Sequence, residues 1–477
     1  MPKPLLVMKF GGTSVGSPDA IRRAAELAAQ AAKDWRVVVV SSAMSKVTDL
    51  LLDTMAHGES GDETTIEGRF QQLEQKHVET ANELLPAARH ERVAGRIREL
   101  VNSYARIARG MLLLGERPPR SEDEAVATGE RLATLLLAET LQTIGQPAED
   151  VNAWDVIVTD AEFGNASPLM LETAEKAKAK LLPMLAANVI PVVTGFNGAT
   201  VNGVPTTLGR GGSDFSAAIL AAALDAQELW IWTDVDGILT GDPRIISDAR
   251  HLTDVTYNEA AELAYAGAKV LHPRTLTPLI EKDIPVWIKN TFHPETGGTR
   301  ISSQVTDACG ARAITSMPKV TLISFEAVSL TQSGAQLMSR ALAAAARAKC
   351  EVLLLSRSSF RQNFCMLVRT DEVEDVMESL REELALELAH GYVHPIEIDH
   401  SVGMLAIVGE GMRGTPGLAG RLFTAISEQK INIIALAQGS SELTIAIVVK
   451  EDRLNDAVRA VHAECGLGVA RPAVAQA

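Results

Sequence analysis

The sequence predicts an α/β protein: a three-layer sandwich built on a mainly parallel sheet, followed by two smaller βαββαβ units. Three observations lead there. Apolar, β-branched runs such as Arg36–Ser41 (RVVVVS) alternate with helical stretches, the signature of strands buried on both faces. Aromatic residues make up only 4% of the chain while Ala, Leu and Val abound, which suits helices packed on a parallel sheet. Beyond a Pro-, Gly-, Ser- and Thr-rich stretch at Asn290–Lys319, the pattern repeats at one constant offset.

Taken in order, Leu5–Lys9 reads as a strand and Pro18–Asp34 as a helix. Ser17 is a good N-cap, Pro18 suits the first helical position, and Asp19 suits the positive end of the helix dipole. Arg36–Ser41, Val189–Thr194 and Leu229–Thr233 read as further buried strands. Residues 57–120 break the rhythm; rich in Glu, Gln and Arg, they read as an inserted polar helical hairpin, a lid, a subunit contact or a solvated excursion. The repeat runs strand, helix, strand, strand, helix from Val320 to about Leu386, and again from Met404 to about Cys465. Cys350-Glu351-Val352 aligns with Ile431-Asn432-Ile433, and Arg340 with Arg421. The expected domains are therefore 1–300, with the insertion at about 57–120, then 318–395 and 400–470. The tail RPAVAQA is expected to fray.

The formal net charge of -15 argues against a nucleic-acid partner or an anionic membrane surface. Four cysteines, Cys309, Cys350, Cys365 and Cys465, form no CxxC pair and no cluster with histidine. They read as reduced thiols of a cytoplasmic protein, with no metal site. Lys9 and the following glycines interrupt the first apolar run, unlike a signal peptide, and no run reaches the roughly 18 residues of a membrane span.

Four glycine-bearing loops follow strand-like runs: KFGGTS (Lys9–Ser14), TLGRGGSDFSA (Thr207–Ala217), WTDVDGILTGDPR (Trp232–Arg244) and AGAKVLHPR (Ala266–Arg274). Open α/β sheets bind ligands beyond the carboxyl ends of their strands, so these loops are expected to converge. Gly11 and Gly16 stand at the Walker A spacing, but Ser17-Pro18 occupies the place of Lys-Ser/Thr. The lysine instead precedes the loop, at Lys9. Cations at Lys9, Arg210 and Lys269, carboxylates at Glu130, Asp214 and Asp234, and loop amides fit a site for phosphates plus a small charged metabolite.

These stretches, with SSAMSKVTD and ATGERLAT, resemble the aspartate kinases of the amino-acid kinase superfamily, and the tandem C-terminal units resemble ACT (ferredoxin-like) regulatory domains. The resemblance covers essentially the whole chain. WTDVDG through KNTFHPETGGTRI looks closest to the kinase half of bifunctional aspartate kinase–homoserine dehydrogenases, and no dehydrogenase follows in this sequence. The resemblance implies phosphorylation of the L-aspartate side chain by ATP with Mg2+, the first step towards lysine, threonine and methionine. It implies catalytic roles for Lys9 and Asp214. Ser42, Thr48, Glu130, Arg210 and Ser213 are matched to aspartate, and Lys9, Gly11, Gly12, Thr233, Asp234, Arg244 and Lys269 to ATP. One departure is Leu239, where many relatives carry a tyrosine near the adenine.

The resemblance also implies feedback by an amino acid, lysine or threonine, and a homodimer or homotetramer formed through the ACT units. In the second unit Gly417, Asn432 and Gln438 look like an effector pocket; the first unit has Gln336, Glu351 and Arg357 at the aligned places. Two rivals stand beside this reading. One is a superfamily kinase for glutamate, acetylglutamate or a nucleoside monophosphate; the other is a non-catalytic amino-acid sensor.

Overall fold

The computed structural model of the chain describes residues 3–268, 271–305, 310–326, 328, 334–358 and 363–468. Expectations resting on Lys269, Cys309 and the RPAVAQA tail lie outside the described residues. Two compact units emerge. One runs to Ile238 and takes in Thr253–Tyr257 and Leu271–Gln304; the other comprises Leu239–Leu252, a stretch from Asn258, and the chain from Val305 onward.

The chain opens with β1 (Leu5–Phe10), α1 (Pro18–Ala31), β2 (Arg36–Ser41), α2 (Val47–Glu59), α3 (Glu63–Leu84), α4 (Ala87–Leu114), α5 (Pro119–Val126) and α6 (Thr128–Thr143). Next come β3 (Ala148–Val151), β4 (Val158–Thr159), α7 (Met170–Ala186), β5 (Ile190–Thr194), β6 (Asn197–Thr200), β7 (Pro205–Thr207), α8 (Gly212–Ala223) and β8 (Glu228–Thr233). The short pair β9 (Ile238–Leu239) and β10 (His251–Leu252) precedes β11 (Asp254–Thr256), α9 (Tyr257–Tyr265), α10 (Pro273–Ile280), β12 (Val286–Asn290) and β13 (Thr299–Ser302).

Eight strands form one sheet in the order β11-β13-β12-β8-β1-β2-β5-β3, parallel at every pairing except β12 with β13. Strand β1 is central and buried along its whole length. Its side chains alternate between faces. Leu6, Met8 and Phe10 join the core that holds Ile21, Ala24 and Ala28 of α1; Leu5, Val7 and Lys9 point the other way and are also buried. A strand buried on both faces needs helices on both, which is the three-layer arrangement. The cap on α1 forms as its sequence dictates: the Ser17 hydroxyl accepts the Ala20 N–H at 3.3 Å, and Pro18 begins the helix.

The insertion is helical, as α3 and α4, but it is not a solvated excursion. Ile66, Phe70, Leu73, Val93, Ile97, Val101 and Tyr104 repeat at helical spacing and enter the main core. The Tyr104 hydroxyl donates to the Leu51 carbonyl at 2.8 Å. High charge on the outer faces hides this stripe from a reading by composition.

The second unit contains β14 (Ala313–Phe325), α11 (Gly334–Arg347), β15 (Leu354–Arg357), β16 (Phe364–Arg369), α12 (Val373–Glu383), α13 (Ala385–Ala389), β17 (Glu397–Val408), α14 (Leu418–Glu428), β18 (Ala435–Gln438), β19 (Thr444–Lys450) and α15 (Leu454–Glu464). Its sheet has the order β15-β16-β14-β17-β19-β18. The two long strands each serve both repeats. Val320–Phe325 pairs with β16 as the first strand of one copy, while Ala313–Met317 pairs with Met404–Val408 beside the first strand of the other. The register shifts between Met317 and Val320 mark the change. The fourth strand of the second copy therefore comes from the chain before the first copy. Boundaries drawn at 318–395 and 400–470 miss this, because pattern in chain order does not show which strands pair.

Candidate active site

Parallel pairing brings the carboxyl ends of β1, β2, β5 and β8 to one edge of the first sheet. A cleft of about 660 Å3 lies there, lined by Lys9, Gly12, Ser42, Thr48, Glu130, Arg210, Ser213 and Asp214 together with Ser45, Lys46 and Asp123. Eight residues singled out in the sequence thus line one cavity. Gly12 packs so closely that a Cβ would stand 3.1 Å from the Ala43 carbonyl oxygen, and one on Gly16 would meet Ser45 Oγ at 2.7 Å. The loop after β1 lies so close to the loop after β2 that a side chain at either place would force its neighbours to shift. Gly11 donates its N–H to the Trp232 carbonyl at 3.1 Å, tying β1 to the end of β8.

On the opposite wall, Gly209 and Gly211 take positive φ values of 75° and 69°, which turn the chain into α8. Ser213 and Asp214 lie in the first turn of α8, so free N–H groups and the positive end of its dipole accompany them. Lys9 Nζ meets Asp214 Oδ1 at 2.6 Å, and Lys9 is only 8% exposed. Arg210 is exposed in the cleft and makes no ion pair with a described residue.

Glu130 has the most perturbed carboxyl of the cleft. It is buried on α6; Oε1 accepts the Ala43 N–H at 3.2 Å, and Oε2 has no hydrogen-bond partner among the described residues. Burial pushes its pKa up to about 8, only partly offset by the Ala43 hydrogen bond. A buried carboxyl with one open oxygen in a cleft can meet a bound cation by giving up its proton.

Thr233 and Asp234 sit at the carboxyl end of β8, beside β1, but do not line this cavity. The Thr233 hydroxyl donates to Asp234 at 3.2 Å. Gly11 neighbours the Lys9 ammonium without lining the cleft. Arg244 belongs to the second unit, where it grips Asp242 at 2.6 Å. Lys269 lies outside the described residues.

Three contributors escaped the sequence reading. Asp123 is buried and accepts from Gly164 N–H, Thr207 N–H (each 2.9 Å) and the Thr207 hydroxyl (2.7 Å), pinning the strand that leads to Arg210. Lys76 of α3 donates to the Ser45 carbonyl at 2.8 Å, and the Ser45 hydroxyl donates to the Gly12 carbonyl at 2.8 Å. The inserted hairpin thereby braces the loops after β2 and β1. Burial, with Lys46 nearby, lowers the Lys76 pKa. Arg274 bonds the Asn165 side chain and the Ala166 carbonyl, and covers the Phe215 ring at 5.0 Å. Only Arg274 carried a local signal, the HPR of AGAKVLHPR.

In the second unit, Gly417 and Gln438 share a cavity of about 160 Å3 with Glu442. Gly417 has φ 83° at the start of α14. Asn432 is exposed and does not line this cavity.

The amino acid kinase family model matches residues 4–290, and an ACT domain model matches 405–465. The bifunctional aspartokinase/homoserine dehydrogenase 1 of Arabidopsis thaliana is 35% identical over 465 residues, covering 96% of this chain and 50% of that protein. The chain thus spans about half the length of the bifunctional plant relatives it matches. Lysine-sensitive aspartokinase 3 of Escherichia coli is 31% identical over 464 residues, covering 96% of this chain and 98% of that one. The crystal structure of E. coli aspartokinase III with aspartate and ADP superposes with a TM-score of 0.83 at 29% identity, covering 96% of this chain and 99% of the other. With the fold, the cleft and end-to-end similarity in agreement, the chain belongs to the amino acid kinase family and, within it, to the aspartokinases.

Proposed function

We propose that the chain is an aspartate kinase, transferring the γ-phosphoryl group of ATP to the side-chain carboxylate of L-aspartate to give 4-phospho-L-aspartate. One observation carries the reading: the open oxygen of buried Glu130 and the unpaired guanidinium of Arg210 line the cleft that also holds Lys9. Glu130 suits an α-ammonium. Arg210 suits an α-carboxylate, which it can bind through two parallel N–H groups. The α-groups so held leave the side-chain carboxylate as the reacting end.

That carboxylate has an ordinary pKa of about 3.9 and is ionised at neutral pH, so no general base is needed. The barrier is repulsion between two anions. Lys9, the amides near Gly12 and the N-terminus of α8 bring positive potential to the transferring phosphoryl group, and Asp214 orients the Lys9 ammonium. Ser42, Thr48 and Ser213 supply hydroxyls along the aspartate side. Thr233 and Asp234, beside Gly11, form the nucleotide side.

Magnesium fits as a nucleotide-borne ion. The described residues hold no group of three or more ligating side chains, whereas Asp234 offers one exposed carboxylate beside the phosphate loop. When bound, the ion would neutralise charge on the phosphates, with Asp234 as a residue that could hold it. The cavity of Gly417 and Gln438 supports feedback by an amino acid, lysine or threonine, through ACT units that also join two or four copies. Among the described residues no helix is long and apolar enough to cross a membrane, and Cys350, Cys365 and Cys465 are free thiols. The free thiols support a cytoplasmic location.

Coupled measurement of ADP release with aspartate, glutamate, acetylglutamate and a nucleoside monophosphate tests the assignment. Turnover with aspartate that disappears in Lys9→Ala supports it; preference for another acceptor replaces it.

A further inference from the structure

The carboxyl edge of the first sheet holds a second, smaller cavity beside the cleft. Strands β3 and β5 end there, at Val151 and Thr194, and α4 and α6 close it. Its volume is about 150 Å3, and Arg96, Glu99, Arg131, Thr134, Asp150 and Asn152 line it. Arg131 directly follows Glu130 on α6, so one helical turn faces both cavities.

Most polar groups here are already engaged. Arg96 forms a fork to Asp150, with N–O distances of 3.1 and 2.8 Å. The Thr134 hydroxyl donates to the Glu130 carbonyl at 2.5 Å. The Thr194 hydroxyl donates to Asn197 at 3.1 Å and accepts the Ala153 N–H at 2.7 Å. Three side chains are not engaged. The exposed Glu99 makes no hydrogen bond or ion pair with a described residue. The partly buried Arg131 guanidinium makes no hydrogen bond or ion pair with a described residue; its one fixed contact is the Trp154 ring, 4.9 Å from the guanidinium carbon. The Asn152 carboxamide likewise has no hydrogen-bonded partner among the described residues.

A guanidinium held against a ring keeps its five N–H donors in a fixed plane and presents them as a fork. Arg96 and Arg131 stand against Asp150, Glu99 and Glu124, so the surrounding charge does not itself draw an anion and disfavours a dianion more than a monoanion; the attraction lies in the Arg131 fork. The volume holds a few heavy atoms, not a nucleotide.

We propose that this cavity is a binding site for a small monoanionic carboxylate, received by the Arg131 fork with Asn152 beside it. It is separate from the aspartate cleft and does not depend on the reaction assigned to that cleft.

Trp154 provides the readout, because a ligand on Arg131 changes the charge against its ring. Acetate is titrated into the full chain while chloride is exchanged to hold ionic strength, and tryptophan emission is followed. The expected result is a saturable change absent in Trp154→Phe and weakened roughly 10–100-fold in Arg131→Met, as loss of a charge-assisted hydrogen-bond pair implies. Arg210→Ala, which removes the fork of the main cleft, retains it. Inorganic phosphate, mainly a dianion above neutrality, binds more weakly than acetate. If Arg131→Met does not fold, Arg131→Lys must still weaken binding, since it keeps the charge and loses the fork. The site is overturned if acetate gives no saturable change, if Arg131→Met or Arg131→Lys binds like the parent, if Arg210→Ala abolishes the signal, or if phosphate binds more tightly.

Discussion

Lys9 Nζ and Asp214 Oδ1 lie 2.6 Å apart, joining the end of the central strand to the first turn of α8. On the proposed function, the pair fixes a cation where the transferred phosphoryl group passes. Lys9→Ala is expected to lower kcat by roughly 10²–10³-fold, the effect of losing one transition-state donor, with little change in the aspartate KM. Steady-state kinetics check it; near-normal kcat in the variant removes Lys9 from this role.

Arg210 carries no competing ion pair with a described residue, so its removal leaves no buried charge behind. Arg210→Ala is expected to raise the aspartate KM far more than the ATP KM. Arg210→Lys recovers only part of the loss, since a point charge cannot reproduce the fork. A rise confined to the ATP KM would place Arg210 on the nucleotide side.

With Glu130 as the proposed receptor of the α-ammonium, its raised pKa of about 8 is expected to make aspartate binding proton-linked. Below that value the free site is mostly protonated, and the α-ammonium favours the ionised form. Binding therefore releases a proton, and affinity rises with pH up to about 8. Calorimetry in buffers of different ionisation enthalpy reads the proton directly, and no dependence on buffer refutes the linkage. The stability effect has the opposite sense. The unfolded chain ionises near the ordinary value of 4.5 while the folded site holds its proton, so this group costs stability as pH rises from about 4.5 to 8. Glu130→Gln should gain thermal stability relative to the parent across that window.

Lys76 does not line the cleft but touches it through the Ser45 carbonyl. Lys76→Met should lower kcat/KM by roughly 10-fold or more, as small misplacements of catalytic loops do, with Lys76→Arg recovering part of it. A loss of thermal stability with kcat/KM unchanged would make the brace purely structural.

Gln438 shares its cavity with Gly417 at the start of α14. Gln438→Ala should relieve amino-acid inhibition while leaving the uninhibited rate nearly unchanged. Coupling of about 1–3 kcal/mol corresponds to roughly 5–150-fold in apparent affinity. An inhibition curve that stays in place in Gln438→Ala, but is lost in Arg357→Ala, transfers the site to the first repeat.

Much of this was legible because it is local. The Lys9-Phe10-Gly11-Gly12 turn, the Ser17 cap and the Gly209–Gly212 turn are properties of neighbouring residues, and strand Arg36–Ser41 appears with the bounds its valines imply. The repeat was legible through Arg340 and Arg421, and each copy carries the acid partner at the same spacing: Arg340 with Glu383 at 2.8 Å, Arg421 with Glu464 at 2.7 Å. Asp123 and Lys76 were not legible, because their partners stand far away in the chain and a charged residue on a helix looks the same whether it faces water or a loop. The fourth strand of the second repeat was hidden for a related reason: β-strand propensity is local, but strand pairing is not.

The exchange of strand halves between the repeats makes the tandem behave like a closed clasp. Cutting the chain after α13 would remove β17 and with it the partner of β14 along Ala313–Met317, exposing the edge of a 13-residue strand. A long unpaired edge is a template for association with other chains. Deleting the second repeat to create an unregulated enzyme should therefore yield an insoluble or aggregating product, whereas point changes within the effector cavity leave the clasp shut. The same connection means that neither repeat could have been acquired or discarded alone without reshaping the other.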